Sequence, residues 1–220
     1  MPTRTLSQKV RARCRNWVGR TWLRVFGWEV EGGHPNVAKA ILVAAPHTSG
    51  WDLPFTLAVA WSLDLEMSWV GKRELFSPQW GWFFRFLGGV SVDRAGSKGF
   101  VSAVADLLRN ADELHIVIAP EGTRGKAARW KTGFYYMAKE ANVPIVLAYL
   151  DYSRKRGGLG HVFVPTGDPR KDLGVIRDFY ANIKGKFPDQ ASEIKLDEET
   201  FATPVPAESG ETIVAVAATA

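Results

Sequence analysis

From about residue 38 onward, short apolar runs alternate with longer helix-forming stretches, and this alternation confines the chain to few architectures. Strands are expected at residues 40–45, 66–70, 90–92, 114–119, 144–150 and 161–164. Helices are expected at 53–63, 98–109, 133–141 and 173–184. The run at 40–45 is short, apolar and ends at Pro46, as a buried strand would. The expected fold class is therefore α/β: a single domain with a mostly parallel or mixed sheet flanked by helices. No internal repeat interrupts the pattern.

A length of 220 residues suits one such domain with a well-buried core. The segment 31–200 is read as that domain and 1–30 as a basic amphipathic N-terminal segment. The last stretch, 201–220, is rich in Ala, Pro, Glu and Thr without periodicity and is expected to be a disordered tail. The single cysteine, Cys14, cannot form an internal disulfide, which points to a reducing compartment. Neither a secretory apolar region with a small-residue cleavage site nor a bilayer-length apolar run is found.

The formal charge of +5 is unevenly spread. Residues 1–30 carry seven Lys/Arg and one acid, whereas 188–220 carry one Lys and seven acids. A basic start fits an anionic partner, either lipid headgroups or nucleic acid. Aromatic residues choose between them. Trp17, Trp22 and Trp28 are interleaved with Arg11, Arg13, Arg15, Arg20 and Arg24. On a helix, Val10, Cys14, Trp17, Val18 and Val25 share one arc bordered by Arg11 and Arg24, with Leu23 off the arc. Indole rings and long basic stems favour the headgroup level of a bilayer. A membrane-contacting helix is expected, the alternative being a helix packed on its own domain. A second aromatic run, Trp80-Gly81-Trp82-Phe83-Phe84-Arg85-Phe86-Leu87, divides evenly between a functional apolar surface, as a groove wall or a lipid-dipping patch, and ordinary core packing.

Open α/β folds gather their functional groups on loops past the carboxyl ends of strands. Two such loops carry chemistry. In Pro46-His47-Thr48-Ser49-Gly50-Trp51-Asp52, the aspartate can orient the imidazole if the loop turns back into a helix. Taken alone, the same pair reads equally as a loop histidine with Asp52 capping the helix. In Ala119-Pro120-Glu121-Gly122-Thr123-Arg124, the glycine allows close backbone approach and the arginine can bind phosphate through two N–H groups, the alternative being a tight surface turn.

Together these loops resemble the glycerolipid acyltransferase superfamily that includes 1-acylglycerol-3-phosphate acyltransferases. His47 and Asp52 match its H-x4-D block, with Ser49 matching the block's serine. Val70-Gly71-Lys72-Arg73-Glu74-Leu75-Phe76 is similar to its lysine-and-KEL segment, and Gly89-Val90-Ser91-Val92-Asp93-Arg94 to the block ending in arginine. Pro120-Glu121-Gly122-Thr123-Arg124 matches the third block and Val143-Pro144-Ile145-Val146 the fourth. The likeness spans roughly residues 38–150, making 31–200 the expected acyltransferase domain, with a glycerol-3-phosphate acyltransferase-like fold. Pro46, Ala119 and Leu147-Ala148-Tyr149 depart from the usual pattern and leave the acceptor open.

The resemblance implies transfer of a fatty acyl group from acyl-CoA or acyl carrier protein to the hydroxyl of a 1-acylglycerol 3-phosphate in phospholipid biosynthesis. The alternative is the same chemistry on glycerol 3-phosphate, another lysophospholipid or a lyso-amino-lipid. It casts His47 as general base and Asp52 as its orienting partner. Glu121, Gly122, Thr123 and Arg124 would shape the acceptor site, and Arg124, Lys72 and Arg94 would hold phosphate. No cofactor or metal is required beyond the thioester co-substrate, and His34, His47, His115 and His161 lack a metal-ligand spacing. The expected partners are a phospholipid membrane surface, the acyl donor and the acceptor, with no nucleic acid. The expected location is the cytoplasmic face of the membrane, peripheral or monotopic. A nucleic-acid module would leave the ordered motifs unexplained. A covalent route finds no G-x-S-x-G elbow.

Overall fold

The apolar run after residue 38 forms the middle strand of the fold, β2 (Lys39–Ala44), in a computed structural model that describes residues 5–71, 76–91 and 97–195. Its side chains alternate between two packed layers, as a strand's period of two requires. Ile41 and Val43 join one cluster with Val104, Ala105, Phe134 and Met137. Ala40 and Leu42 join the opposite cluster with Leu57 and Ala60. A strand buried on both faces needs apolar residues at every position, so the run reads as continuous.

The remaining strands are β1 (Glu29–Glu31), β3 (Ser68–Gly71), β4 (Gly89–Ser91), β5 (Leu114–Ile118), β6 (Ile145–Asp151) and β7 (Arg156–Phe163). They form a seven-stranded sheet in the order β1-β7-β6-β2-β5-β3-β4. β2 runs parallel to both β5 and β6, while β6 and β7 pair antiparallel, so the sheet is mixed. The helices are α1 (Leu6–Val25), α2 (Asp52–Ser62), α3 (Gly81–Phe86), α4 (Ser97–Asn110), α5 (Gly133–Ala141) and α6 (Pro169–Tyr180).

Most expected elements fall within a residue or two of their observed ends. β7 is the larger departure, starting at Arg156 rather than 161. Its hidden half contains Gly157 and Gly158, which carry no apolar signal. They are there because Gly157 lies under Leu150 and Val59, and Gly158 lies against the Glu31 carbonyl. α6 starts at Pro169 rather than 173. Asp168 caps it by accepting from the N–H groups of Arg170 and Lys171, with proline at its first position. The short strand β1 and the six-residue α3 were not expected as elements.

α1 begins with a capping box in which Thr5 and Gln8 exchange hydrogen bonds. It rests on α2 through Gly19, where a Cβ would stand 2.6 Å from the Ala58 carbonyl oxygen. Leu23 is buried beside Trp28, Phe55, Ala58, Val59 and Leu150. Asn16 donates to the carbonyls of Trp61 and Ser62 at 3.1 and 3.0 Å, satisfying the end of α2. Leu23 falls off the apolar arc because it belongs to this inward face. The arc itself, with Val10, Cys14, Trp17, Val18 and Val25, stays exposed, Trp17 at 69 %. Among the described residues no helix is long and apolar enough to cross a membrane. Lys72, Arg94 and the tail 201–220 lie outside the described residues.

Candidate active site

β2 delivers the chain at the centre of the sheet into a loop, through a cis Ala45–Pro46 bond, and α2 begins seven residues later at Asp52. The loop folds back so that four donors converge on the Asp52 carboxylate. Its Oδ2 accepts from His47 Nδ1 and from the backbone N–H groups of Thr48 and Ser49, each at 2.9 Å. Its Oδ1 accepts from the Tyr152 hydroxyl at 2.8 Å. Asp52 thus caps the loop that precedes it and makes no side-chain cap to α2, contrary to the simple helix-cap alternative. Its charge also lies at the positive end of the helix. With Nδ1 turned to Asp52, His47 keeps Nε2 for a reacting group.

The second loop reaches the first through Glu121, which follows β5. Its Oε1 accepts the His47 backbone N–H at 2.9 Å, and its buried Oε2 has no hydrogen-bond partner among the described residues. The residue is only 4 % exposed, and burial raises its pKa above the ordinary carboxylate value. Gly122 turns the chain with φ +66°. Thr123 and Arg124 are then exposed, and a Cβ added at Gly50 would lie 3.0 Å from the Arg124 guanidinium. The structure therefore brings together His47, Asp52, Glu121, Gly122, Thr123 and Arg124.

Sequence reasoning missed Tyr152 and the segment after α6. Residues 184–195 run across both loops as a strap with one 3-10 turn, Pro188–Gln190. Phe187 N–H donates to Thr48 Oγ1 at 3.2 Å. The Gln190 amide, with nitrogen as donor, bridges the carbonyls of Thr48 and Arg124 at 3.2 and 3.0 Å. Ser192 accepts from Ala127 N–H, and the Lys195 carbonyl from Trp130 N–H. Lys186 places its ammonium 4.9 Å from the centre of the Trp51 ring. No periodic pattern marks such a segment.

His47 and Arg124 stand at a groove of about 1290 Å³. Its lining is largely apolar, with Trp69, Phe84, Val101, Phe134 and Met137 among the residues. The aromatic run of α3 divides here. Phe84 lines the groove and packs edge-on to Trp69, while Trp80, Trp82 and Phe86 are exposed, Trp82 at 66 %. Among the described residues no three His, Cys, Asp or Glu side chains gather as a metal ion would need.

A mixed α/β sheet, with a His–Asp pair past its central strand and a largely apolar groove beside it, defines an enzyme-like domain. The chain belongs to the Acyltransferase family, whose profile matches residues 28–150. No curated protein sequence matches significantly. Among solved structures, the fold is similar to the crystal structure of the 1-acyl-sn-glycerophosphate (LPA) acyltransferase PlsC from Thermotoga maritima. The TM-score is 0.57 at 21 % identity, covering 82 % of this chain and 79 % of that one.

Proposed function

We propose that the protein moves a fatty acyl group from an acyl thioester, on CoA or a carrier protein, to the hydroxyl of a 1-acylglycerol 3-phosphate. The observation that carries this reading is the 2.9 Å contact between His47 Nδ1 and Asp52 Oδ2 at the edge of an apolar groove. The acceptor hydroxyl gives its proton to His47 Nε2 as its oxygen attacks the thioester carbon. The new ester C–O bond forms, the C–S bond breaks, and the imidazolium returns the proton to the leaving thiolate. Asp52 holds the tautomer and stabilises the imidazolium, while the groove takes the acyl chain. Glu121, Gly122 and Thr123 shape the acceptor site. Arg124 meets the acceptor phosphate, with Lys72 and Arg94 assigned the same task by family resemblance.

The reading also places the site at a phospholipid surface, on the cytoplasmic face of the membrane. α1 exposes apolar residues among cations, α3 exposes Trp82 and Phe86 just after the exposed Trp80, and Trp51 and Phe187 are exposed beside the His47 loop. Indoles and basic stems together suit the headgroup layer. The likeness to a lysophosphatidic acid acyltransferase fold agrees with this acceptor class.

The test is transfer of labelled palmitoyl or oleoyl groups, from CoA and from carrier protein, to a panel of acceptors in liposomes. Wild type and His47→Ala are compared. Transfer to lysophosphatidic acid that disappears in the variant is the expected result. Transfer confined to glycerol 3-phosphate or another lysolipid would retain the mechanism and change the acceptor. Release of free fatty acid without any transfer would overturn the reading.

A further inference from the structure

We propose that Tyr152 is a positioning residue for the His47–Asp52 pair, its hydroxyl setting how strongly the carboxylate holds the imidazole. The inference rests on the acid–base reading of that pair given above.

Asp52 is unequally served. Three donors from its own loop crowd Oδ2, whereas Oδ1 has the Tyr152 hydroxyl at 2.8 Å, delivered from a residue 100 positions away in the chain. The carboxylate is buried, so an Oδ1 without that donor would be a costly unsatisfied group. The phenol is held where it is from several sides. Trp28 meets its ring edge-on at 4.9 Å and Phe55 at 5.9 Å, and these two rings stack on each other at 4.5 Å. Its backbone N–H donates to the Lys184 carbonyl at 2.9 Å. A structural tyrosine would need the ring alone; here the rigid ring aims the hydroxyl at the orienting carboxylate. Burial, and then the Asp52 charge, raise the phenol's pKa, so it stays protonated as a donor throughout the working pH range.

A donor on Oδ1 draws negative charge away from Oδ2 and so weakens the carboxylate's pull on an imidazolium. Removing the hydroxyl concentrates that charge, and His47 then holds its proton to higher pH. Among the described residues the hydroxyl's hydrogen-bond partner is Asp52, not the other charged or titratable groups around the pair. They are Glu121 on the His47 backbone, Tyr180 whose phenol is influenced by Glu121, Arg124 beside Gly50, and Lys186 over Trp51.

The experiment follows the four histidine C–H resonances by NMR through a pH titration in wild type and Tyr152→Phe, with His47→Ala assigning the relevant signal. The expected result is a His47 midpoint raised by roughly half a pH unit or more, with the other three unmoved. The acid limb of kcat/KM rises by the same amount, and kcat falls roughly 3- to 30-fold with KM little changed. Incorporating 3-fluorotyrosine at position 152, a stronger donor in nearly the same volume, moves the midpoint downward and serves if the phenylalanine variant folds poorly. A His47 midpoint unmoved by either change would overturn the proposal and leave Tyr152 as packing. A moved midpoint with an unmoved acid limb would keep Tyr152's role and overturn His47 as the base.

Discussion

Glu121 and His47 are 74 residues apart in the chain, yet the Glu121 carboxylate accepts the His47 backbone N–H at 2.9 Å. The arrangement ties the loop after β5 to the loop after β2, so the glutamate holds the His47 loop while Thr123 and Arg124 are exposed. Replacing Glu121 by Ala leaves that half-buried N–H without its carboxylate partner and should cost about 1–3 kcal/mol of stability. Activity should fall with it, because a loosened loop misplaces the imidazole. Denaturant unfolding alongside kcat measures both. An alanine variant with unchanged stability would mean the contact carries no load.

The same glutamate makes a prediction about pH. Burial raises its folded pKa above its ordinary value of 4.5, so within the window opening upward from that value the folded state binds more protons than the unfolded one. Its contribution to stability therefore falls as pH rises from 4.5 through the folded pKa and is constant above it. Glu121→Gln removes this loss, so the variant should gain in Tm relative to wild type as pH is taken from 4.5 to 7.5. Thermal melts at the two pH values check the sign. A Tm difference, variant minus wild type, that falls with rising pH would contradict the burial argument.

His47 and Ser49 share a loop but face different partners. Ser49 is buried, and its Oγ accepts the Trp51 N–H at 3.2 Å. His47→Ala should lower kcat by about 10²–10⁴-fold, whereas Ser49→Ala should keep activity within about tenfold. Single-turnover assays with labelled thioester would also detect any acyl-enzyme. Equal losses, or a trapped acyl group that vanishes in Ser49→Ala, would reinstate a covalent route.

On α1 the two faces separate folding from surface contact. Leu23→Ala opens a void beside Trp28 and Phe55 and should cost about 2–5 kcal/mol while leaving vesicle binding by the folded protein unchanged. Trp17→Ala and Arg20→Glu, both at exposed positions, should do the opposite. Near a charged surface each basic residue is worth about 1 kcal/mol, so the reversal should weaken binding to anionic vesicles severalfold and matter less on zwitterionic ones. Co-sedimentation with the two vesicle types decides. Undiminished binding by both exposed-face variants would move the contact to α3.

How much of this was legible depended on whether a feature is local. His47 and Asp52 could be paired from sequence because five positions separate them and an apolar run announces the strand before them. The middle of the sheet was readable for the same reason, since β2, β5 and β6 are apolar at nearly every position. β7 was half hidden because Gly157 and Gly158 are selected for closeness to neighbours, which leaves no hydrophobic period. Leu23 looked like a flaw in an amphipathic arc until α2 supplied its partner. Tyr152 could not be found at all: nothing near it in the chain signals a hydrogen bond to Asp52.

The strap of residues 184–195 offers a last prediction, because its role is to hold two loops at a fixed separation. Thr48 Oγ1 receives the Phe187 N–H, and Gln190 bridges Thr48 and Arg124 through their carbonyls. Thr48→Val keeps the side chain's shape and loses the acceptor; Gln190→Ala loses the bridge. Each should cost about 0.5–1.5 kcal/mol of stability, the usual worth of a neutral hydrogen bond. Their effect on turnover should differ from that of His47 variants. Neither variant touches the His47–Asp52 contact or the Lys184 carbonyl that holds Tyr152, so kcat should be nearly kept, while a looser Arg124 loop should raise the acceptor KM severalfold. Thr48→Val leaves the Thr48 carbonyl that Gln190 bonds in place, so the two variants remove separate hydrogen bonds, and any departure of the double variant from the sum of the singles measures coupling through the strap. Steady-state kinetics on both singles and the double would test this. A loss confined to kcat would instead make the strap part of the acid–base machinery.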